Sequence, residues 1–449
     1  MKFVIFTIAL VVGVPAIAAV TAFSKQLKHL AFAGMIVSFM FNAQFSINIM
    51  SMEYYRGPVR GFEITLADIV ALGLILGMML RTGSKIKWIP RMFFPLLMFF
   101  IFSVVNVYNS EYQTYGWFVI WQLLRMGLMY WCVVNFFATE DCDKPSIRAL
   151  MLGYVLTGLI MGLFAFKQKY LDGIYRIALF FDHSNTVPSF ILVILCVMLV
   201  WVLYDDELKP LPHLIALGTN LGMVFAILAT GSRTGMVTAA GSVVVALVIA
   251  NFRTRRARLK VTTIFLVVCM AIGGLMVIDT VIDRFLNAPK SSEEARNEFE
   301  IAAIMMADDY SIGVGLNQYS QVLTVDKTYR KHITVMANEE QAGVAHHIYL
   351  LTAAEMGWFG MYFFIAIIVL CELSMVFYGI SWKTYEQRLL LGLSVGFLVL
   401  FAIGLYEWVI RQTPVLYQLV VATGFGQALI SKVKQQRKLQ KQVIKGSTS

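Results

Sequence analysis

Ala345-His346-His347-Ile348-Tyr349-Leu350 marks where the longest water-soluble interval of the chain, roughly residues 283–345, gives way to an apolar helix. Almost everything outside that interval is hydrophobic span. Of 449 residues, 59% are hydrophobic and only 14% charged, whereas soluble domains carry about 25% charged residues. Repeated apolar runs of about 17–25 residues suit a hydrocarbon core about 30 Å thick, because a helix rises about 1.5 Å per residue. They fall at 3–23, 30–50, 64–80, 92–108, 117–138, 147–166, 186–204, 212–230, 235–251, 261–281, 348–378, 388–406 and 413–431. Pro15 can split the first of these. The expectation is an all-α, polytopic membrane helical bundle of about 12–13 transmembrane helices with one large loop. No segment alternates like a strand of an outer-membrane barrel. The first segment has Lys2, an apolar run and small residues near Ala18-Ala19, as a signal peptide would. Further spans follow it rather than a secreted domain, so it is expected to stay.

Charge sets the orientation. Arg81, Lys85, Lys87 and Arg91 crowd one loop, and Arg253, Arg255, Arg256, Arg258 and Lys260 another. The tail holds Lys432, Lys434, Arg437, Lys438, Lys441 and Lys445. With thirteen spans all three clusters share a side, which the positive-inside rule makes cytoplasmic. Loops 51–63, 109–116, 167–185, 231–234, 282–346 and 410–412 then lie outside, together with the N-terminus. The net charge of +10 is concentrated in these basic loops and implies no nucleic-acid partner. Cys132, Cys196, Cys269 and Cys371 lie in apolar spans and Cys142 in a short loop, which argues against a disulfide framework. The expected organisation is N-terminal transmembrane helices over 1–144, central ones over 145–281, the large outer loop over 282–346, C-terminal ones over 347–431 and a basic tail over 432–449.

The large loop has structure of its own. After Pro289, Ser291 and Glu294 have capping-box spacing. Phe299, Ala302, Ala303 and Met306 then recur at helical intervals as far as Asp308-Asp309, which predicts an amphipathic helix on the membrane surface or over a cavity. Gly313-Val314-Gly315 ends it, and the polar and aromatic stretch from Asn317 to Gly343 is expected to be mobile.

Four places can carry chemistry: the His346-His347 pair, Arg233, Arg176 and Arg125. A histidine beside a helix end commonly caps it, and adjacent histidines make a poor metal pair, since useful ligand spacing is three or four residues. A histidine at the outer interface also suits a general base, because its ordinary pKa lies near working pH. Arg233 sits in the tight turn Thr230-Gly231-Ser232-Arg233-Thr234-Gly235. It is either a snorkelling interfacial cation or a guanidinium fork for phosphate at headgroup level. Arg176, in the outer loop leading to His183-Ser184-Asn185, reads by itself as a solvated cation. Arg125 interrupts an apolar run about 12 Å below its outer end at helical rise. There it needs a partner or a wet cavity, and Glu355, Glu372 and Glu407 are candidates. No Walker loop is present, Gly313-Val314-Gly315 lacks a dinucleotide-fold context, and Asp205-Asp206 and Asp308-Asp309 form neither a metal site nor a glycosidase pair. An enzyme working outside the cytoplasm, away from ATP, needs a preactivated donor.

Taken together, these segments resemble the O-antigen ligase/polymerase superfamily, membrane glycosyltransferases acting on glycans carried by undecaprenyl diphosphate. The resemblance covers about residues 145–430 and keeps the family order. Arg176…His183-Ser184-Asn185 is similar to an Arg-bearing loop ending in a His-Pro-Asn-like turn, with Ser184 in place of the proline. Gly231-Ser232-Arg233-Thr234-Gly235 resembles the Ser-Arg-Thr/Gly-Gly turn, and Gly313-Val314-Gly315-Leu316-Asn317 the Gly-x-Gly-x-Asn stretch of the large periplasmic loop. His346-His347-Ile348-Tyr349-Leu350 followed by Glu355-Met356-Gly357 and Gly360 resembles the His-Asn-x-x-Leu…Glu-x-Gly…Gly signature, with His347 where asparagine is common.

The resemblance implies a cofactor- and metal-independent, inverting transfer at the periplasmic face of the inner membrane. Arg176 and Arg233 would hold the lipid diphosphate, and His346 would serve the acceptor hydroxyl. Asn185, Ser232, Asn317, His347, Tyr349, Glu355 and Arg125 would line the substrates. Glu355 would orient His346 or cap its helix, and the amphipathic helix would roof the cavity. The partners implied are an undecaprenyl-diphosphate-linked glycan donor, a glycan or lipid A-core acceptor and membrane lipid. A polytopic transporter or flippase is the rival reading. It lacks detectable inverted repeats here, and the polar motifs collect on one side rather than near the midplane.

Overall fold

In the computed structural model, residues 2–81, 85–205, 207–251, 257–276, 278–286, 290–331, 333 and 343–446 are described. Helices run α1 Lys2–Phe23, α2 Lys25–Ser38, α3 Leu66–Leu80, α4 Phe93–Tyr108, α5 Gln113–Thr139, α6 Lys144–Phe166, α7 Thr186–Tyr204, α8 Pro210–Ala229, α9 Arg233–Asn251, α10 Ala257–Met276 and α11 Ile278–Leu286. They continue as α12 Lys290–Asp309, α13 Tyr319–Val325, α14 Lys327–Arg330, α15 Ile348–Gly379, α16 Tyr385–Ile403 and α17 Thr413–Gly446. Among the described residues, nine helices are long and apolar enough to cross a membrane, and Leu66–Leu80, Phe93–Tyr108 and Leu259–Leu275 are shorter apolar ones. The protein is thus an all-α polytopic bundle, with one small hairpin.

That hairpin corrects the second expected span. Residues 30–50 do not form one helix: α2 ends at Ser38, a turn of 3-10 helix follows at Phe39–Phe41, and Ser46–Ile49 (β1) pairs antiparallel with Phe62–Thr65 (β2). Thr65 then starts α3 through a reciprocal capping box with Asp68, satisfying two orphan donors at once.

Helix α7 is the axis of the bundle. It is apolar all round, and such a helix belongs inside a helical assembly; every residue from Thr186 to Leu203 is buried. Gly392 and Gly396 let α16 lie directly on it. A Cβ at Gly396 would stand 2.8 Å from the Val193 Cα, and one at Gly392 2.8 Å from Val200. Small residues permit this closeness where no hydrophobic force separates helix from lipid.

The charged groups sort to two ends. At one, Glu140 takes Lys25 at 2.6 Å, Arg81 at 3.4 Å and Lys28; Lys85 meets Asp141 at 3.5 Å, and Arg148 meets Asp205 at 3.0 Å. Lys432 donates to the Asp141 carbonyl at the same end. At the other, the loops expected on the outside bond to one another, as described below. Arg253, Arg255, Arg256, Asp206 and Pro289 lie outside the described residues, as do the side chains of Arg258, Lys441, Lys445 and Ser291–Glu293.

Arg125 does not meet Glu355, Glu372 or Glu407. Its guanidinium donates to Asp68 at 2.8 Å, to Glu63 at 3.0 Å and to the Tyr417 hydroxyl at 2.6 Å. Thr413 and Tyr417 also donate to Glu63 and Asp68, at 2.6 and 2.7 Å. The charge is matched by two carboxylates from β2 and α3, which face α5 where the other three do not. Glu372 instead accepts from Ser394.

The amphipathic helix is α12, and the four residues at helical spacing are its buried face: Phe299, Ala302, Ala303 and Met306. It packs against α15. The helix begins at Lys290, so Ser291 falls inside its first turn and not at the N-cap position. The stretch after Asn317 is helical in α13 and α14, while residues 332 and 334–342, the rest of the segment expected to be mobile, lie outside the described residues.

Helix α15 is broken at Gly357 (φ 70°, ψ 170°). Residues 311–317 fill the break. Val314 N–H donates to the Ala354 carbonyl at 2.8 Å and Gly315 N–H to the Glu355 carbonyl at 3.0 Å. Asn106 of α4 donates to the Ile312 and Glu355 carbonyls and accepts from Leu316 N–H. Backbone groups freed in a membrane helix need such partners. Gly313 and Gly357 both have positive φ, and a Cβ on either would stand 2.2–2.3 Å from backbone of the opposite segment.

Candidate active site

Glu407, in the turn between α16 and α17, is the centre of the polar network at the end opposite Glu140. It is 3% exposed. Asn185, which ends the Arg176 loop, donates to its Oε1 at 2.6 Å; Arg296 of α12 donates to the same oxygen at 3.0 Å. The other oxygen faces His346 Nδ1 at 3.4 Å. Burial pushes the Glu407 carboxyl up, but the bond to His346 and the charges of His346, Arg296 and His183 outweigh it and hold the group below the ordinary carboxylate range. An ionised carboxylate only accepts, so His346 Nδ1 must carry the hydrogen. In the neutral ring the free lone pair is then on Nε2.

Arg176 joins this network from the other side. Its guanidinium donates to Ser184 Oγ at 2.7 Å, to Asn185 Oδ1 at 3.4 Å and to the Thr230 carbonyl at 3.2 Å. A chain of contacts therefore runs Arg176–Asn185–Glu407–His346. The Thr230 carbonyl belongs to the turn that starts α9 at Arg233. Ser232 is buried and its Oγ accepts from Gly235 N–H at 3.3 Å, which caps that helix. Arg233 itself is half-buried, and among the described residues its guanidinium has no hydrogen-bond or ion-pair partner. His183 accepts from Asn185 N–H at 3.2 Å; burial and the nearby Arg176 hold its imidazole below the ordinary range despite Glu407.

The two adjacent histidines part here. His347 is the N-cap of α15, its Nδ1 accepting from Leu350 N–H at 3.2 Å, and burial keeps it below the ordinary imidazole range. Only His346 faces the carboxylate.

Three other expected substrate contacts are engaged with the protein. Tyr349 donates to the Phe401 carbonyl at 2.8 Å. Asn317 (φ 63°) is fully buried, and its amide bonds Val59 N–H, the Val59 carbonyl and the Tyr115 carbonyl. Glu355 is also fully buried, paired with Arg411 and accepting from Tyr319 N–H at 3.4 Å. Its expected contact with His346 is made by Glu407. Asp308 and Asp309 accept from Trp358 and Tyr329 at 2.8 Å each.

Sequence reasoning missed the roles of Glu407, Arg296 and Arg411. A signal existed for two of them: Glu407 and Arg411 are ionisable groups in a short turn between apolar runs, where such groups are rare and mark function or pairing. Arg296 gave none, being one charge among many on a polar helix face. Glu300, one turn along α12, is pushed above the ordinary carboxylate range by burial, with His346 and Arg296 opposing.

Residues 218–365 match the family model described as O-antigen ligase. That stretch is similar to an O-antigen ligase domain. The matched stretch holds Arg233, Arg296 and His346, while Arg176, Asn185 and Glu407 lie outside it and reach it through the contacts above. No curated protein matches the chain.

Proposed function

We propose that this O-antigen ligase-type membrane protein transfers a glycan from undecaprenyl diphosphate to an acceptor hydroxyl on the periplasmic side of the bacterial inner membrane. The observation that carries the reading is the chain of contacts linking Arg176 to His346 through Asn185 and Glu407. A base facing a buried carboxylate that also holds Arg296 and is linked through Asn185 to Arg176 suits attack on an activated sugar.

In the proposed step the acceptor oxygen bonds the anomeric carbon while the bond from that carbon to the diphosphate oxygen breaks with its electron pair. The acceptor proton goes to His346 Nε2. Arg176 and Arg233 meet the charge growing on the leaving diphosphate, and preorganised cations of this kind are usually the largest catalytic contribution. The configuration at the anomeric carbon inverts, and no metal takes part. An apolar groove of about 390 Å³ between α6, α8 and α10, bordered by Gly158, Gly162, Gly222 and Leu228, gives the isoprenoid chain a path toward the Thr230 turn.

His346→Ala should abolish transfer with expression and fold intact, and a fully active variant ends the base assignment. Arg233→Lys keeps charge but loses the fork, so wild-type turnover would leave it an anchor only. Activity should survive chelator; loss restored by a divalent ion would contradict a metal-free step. Accumulated long lipid-linked chains in a deletion strain indicate a ligase, and accumulated single repeat units a polymerase.

A further inference from the structure

A second site stands apart from the Glu407 network. A polar cavity of about 730 Å³ opens between the 51–56 segment, the start of α5 and the helices α13 and α14. Its size is that of a small-molecule or oligosaccharide pocket, for which about 300–1,000 Å³ is usual. Tyr54 stands at its rim and is 99% exposed. Tyr115 lines the wall with one face stacked on Tyr55, ring centroids 3.9 Å apart and planes within 10°. An aromatic face held rigid from behind is a platform for the apolar face of a sugar, and a fully exposed tyrosine offers a second at low entropic cost. Ser51, Ser320, Gln321 and Thr324 supply hydrogen-bonding groups around them.

Charge narrows the ligand. Arg56 and Arg330 line the cavity, and among the described residues neither has a hydrogen-bond or ion-pair partner for its guanidinium. Glu53 is the single carboxylate among the lining residues. Two free planar forks suit carboxylate or phosphate groups. The cavity also adjoins the catalytic stretch. A Cβ at Gly343 would stand 3.2 Å from the Arg56 and Ser320 Cβ atoms, so this residue packs on the cavity wall. His346 follows three residues later, hence no more than about 11 Å along the backbone.

We infer that this cavity binds sugar units bearing an anionic substituent, at positions of the glycan remote from the bond being made. The inference rests on the transferase reading only for the role of the glycan; the binding itself requires no turnover. The test is isothermal titration of the full chain in nanodiscs with a galacturonic acid tetrasaccharide and with maltotetraose as the neutral control. The uronate should bind more tightly, and Arg56→Gln with Arg330→Gln should weaken it about tenfold or more, as loss of charge-assisted hydrogen bonds does. Tyr54→Ala should weaken both sugars. His346→Ala should leave binding unchanged while removing transfer, which separates the two claims. Absence of binding by either sugar, or affinity indifferent to the arginine pair, overturns the inference and leaves the transferase reading untouched. Equal binding of the two sugars overturns the anionic specificity.

Discussion

His346 and His347 share a side chain and differ in the direction it takes at the entrance to α15. His347 closes the helix end; His346 meets Glu407. Replacing His347 by Ala should cost about 0.5–2 kcal/mol, the usual worth of an N-cap, with turnover largely kept. The same change at His346 should cost about 10²–10⁴ in rate, the range for a general base, and transfer assays on the two variants check the contrast. Glu407→Gln leaves His346 and Arg296 facing a neutral amide, so it should lower kcat more than it raises KM. Acid should destabilise the fold through His183 and His347. Both are held below the ordinary imidazole pKa of 6.5 by burial, so the unfolded chain takes up protons first as pH falls. Their contribution is complete above that value and is lost on acidification toward their folded pKa. Thermal unfolding in detergent followed from neutral to acid pH should show this, and His183→Asn should flatten the slope.

Helix ends were largely legible from residues: Thr186–Tyr204 coincides with the apolar run, and α15 starts where the paired histidines meet Ile348. The break inside α15 was not, because Glu355-Met356-Gly357 sits within one continuous apolar run and only the facing loop demands the turn. For the same reason Asn317 read as a ligand contact when its amide is a clamp between Val59 and Tyr115. Gly357→Ala would force a side chain into positive φ and against the Ser311 carbonyl. It should cost at least about 1–3 kcal/mol, the scale of such backbone strain, read as a fall in apparent Tm. Arg411→Ala should cost about 3–5 kcal/mol by stranding the buried Glu355 charge.

The bundle as a whole has a basic end, stitched around Glu140 and Asp141, and a polar end where the loops holding Arg176, Thr230, His346 and Glu407 meet. Which loops share an end of the bundle was readable because arginines and lysines cluster in few loops; partner choice was not, since His346 and Glu407 are 61 residues apart and helical depth alone says nothing of facing. In intact cells carrying Cys269→Ser, a membrane-impermeant maleimide should label Tyr54→Cys, whereas Lys85→Cys should react only after permeabilisation. The reverse pattern would invert the topology. One consequence follows for anyone exchanging parts between such proteins to alter acceptor choice. Because residues 311–317 supply the backbone partners of a severed helix, with Asn106 as the third piece, the segment before α15 is no detachable cassette. A chimera that carries over the loop without its matching helix step and asparagine inherits unpaired amides in the bilayer, and should fail at assembly before specificity is ever tested.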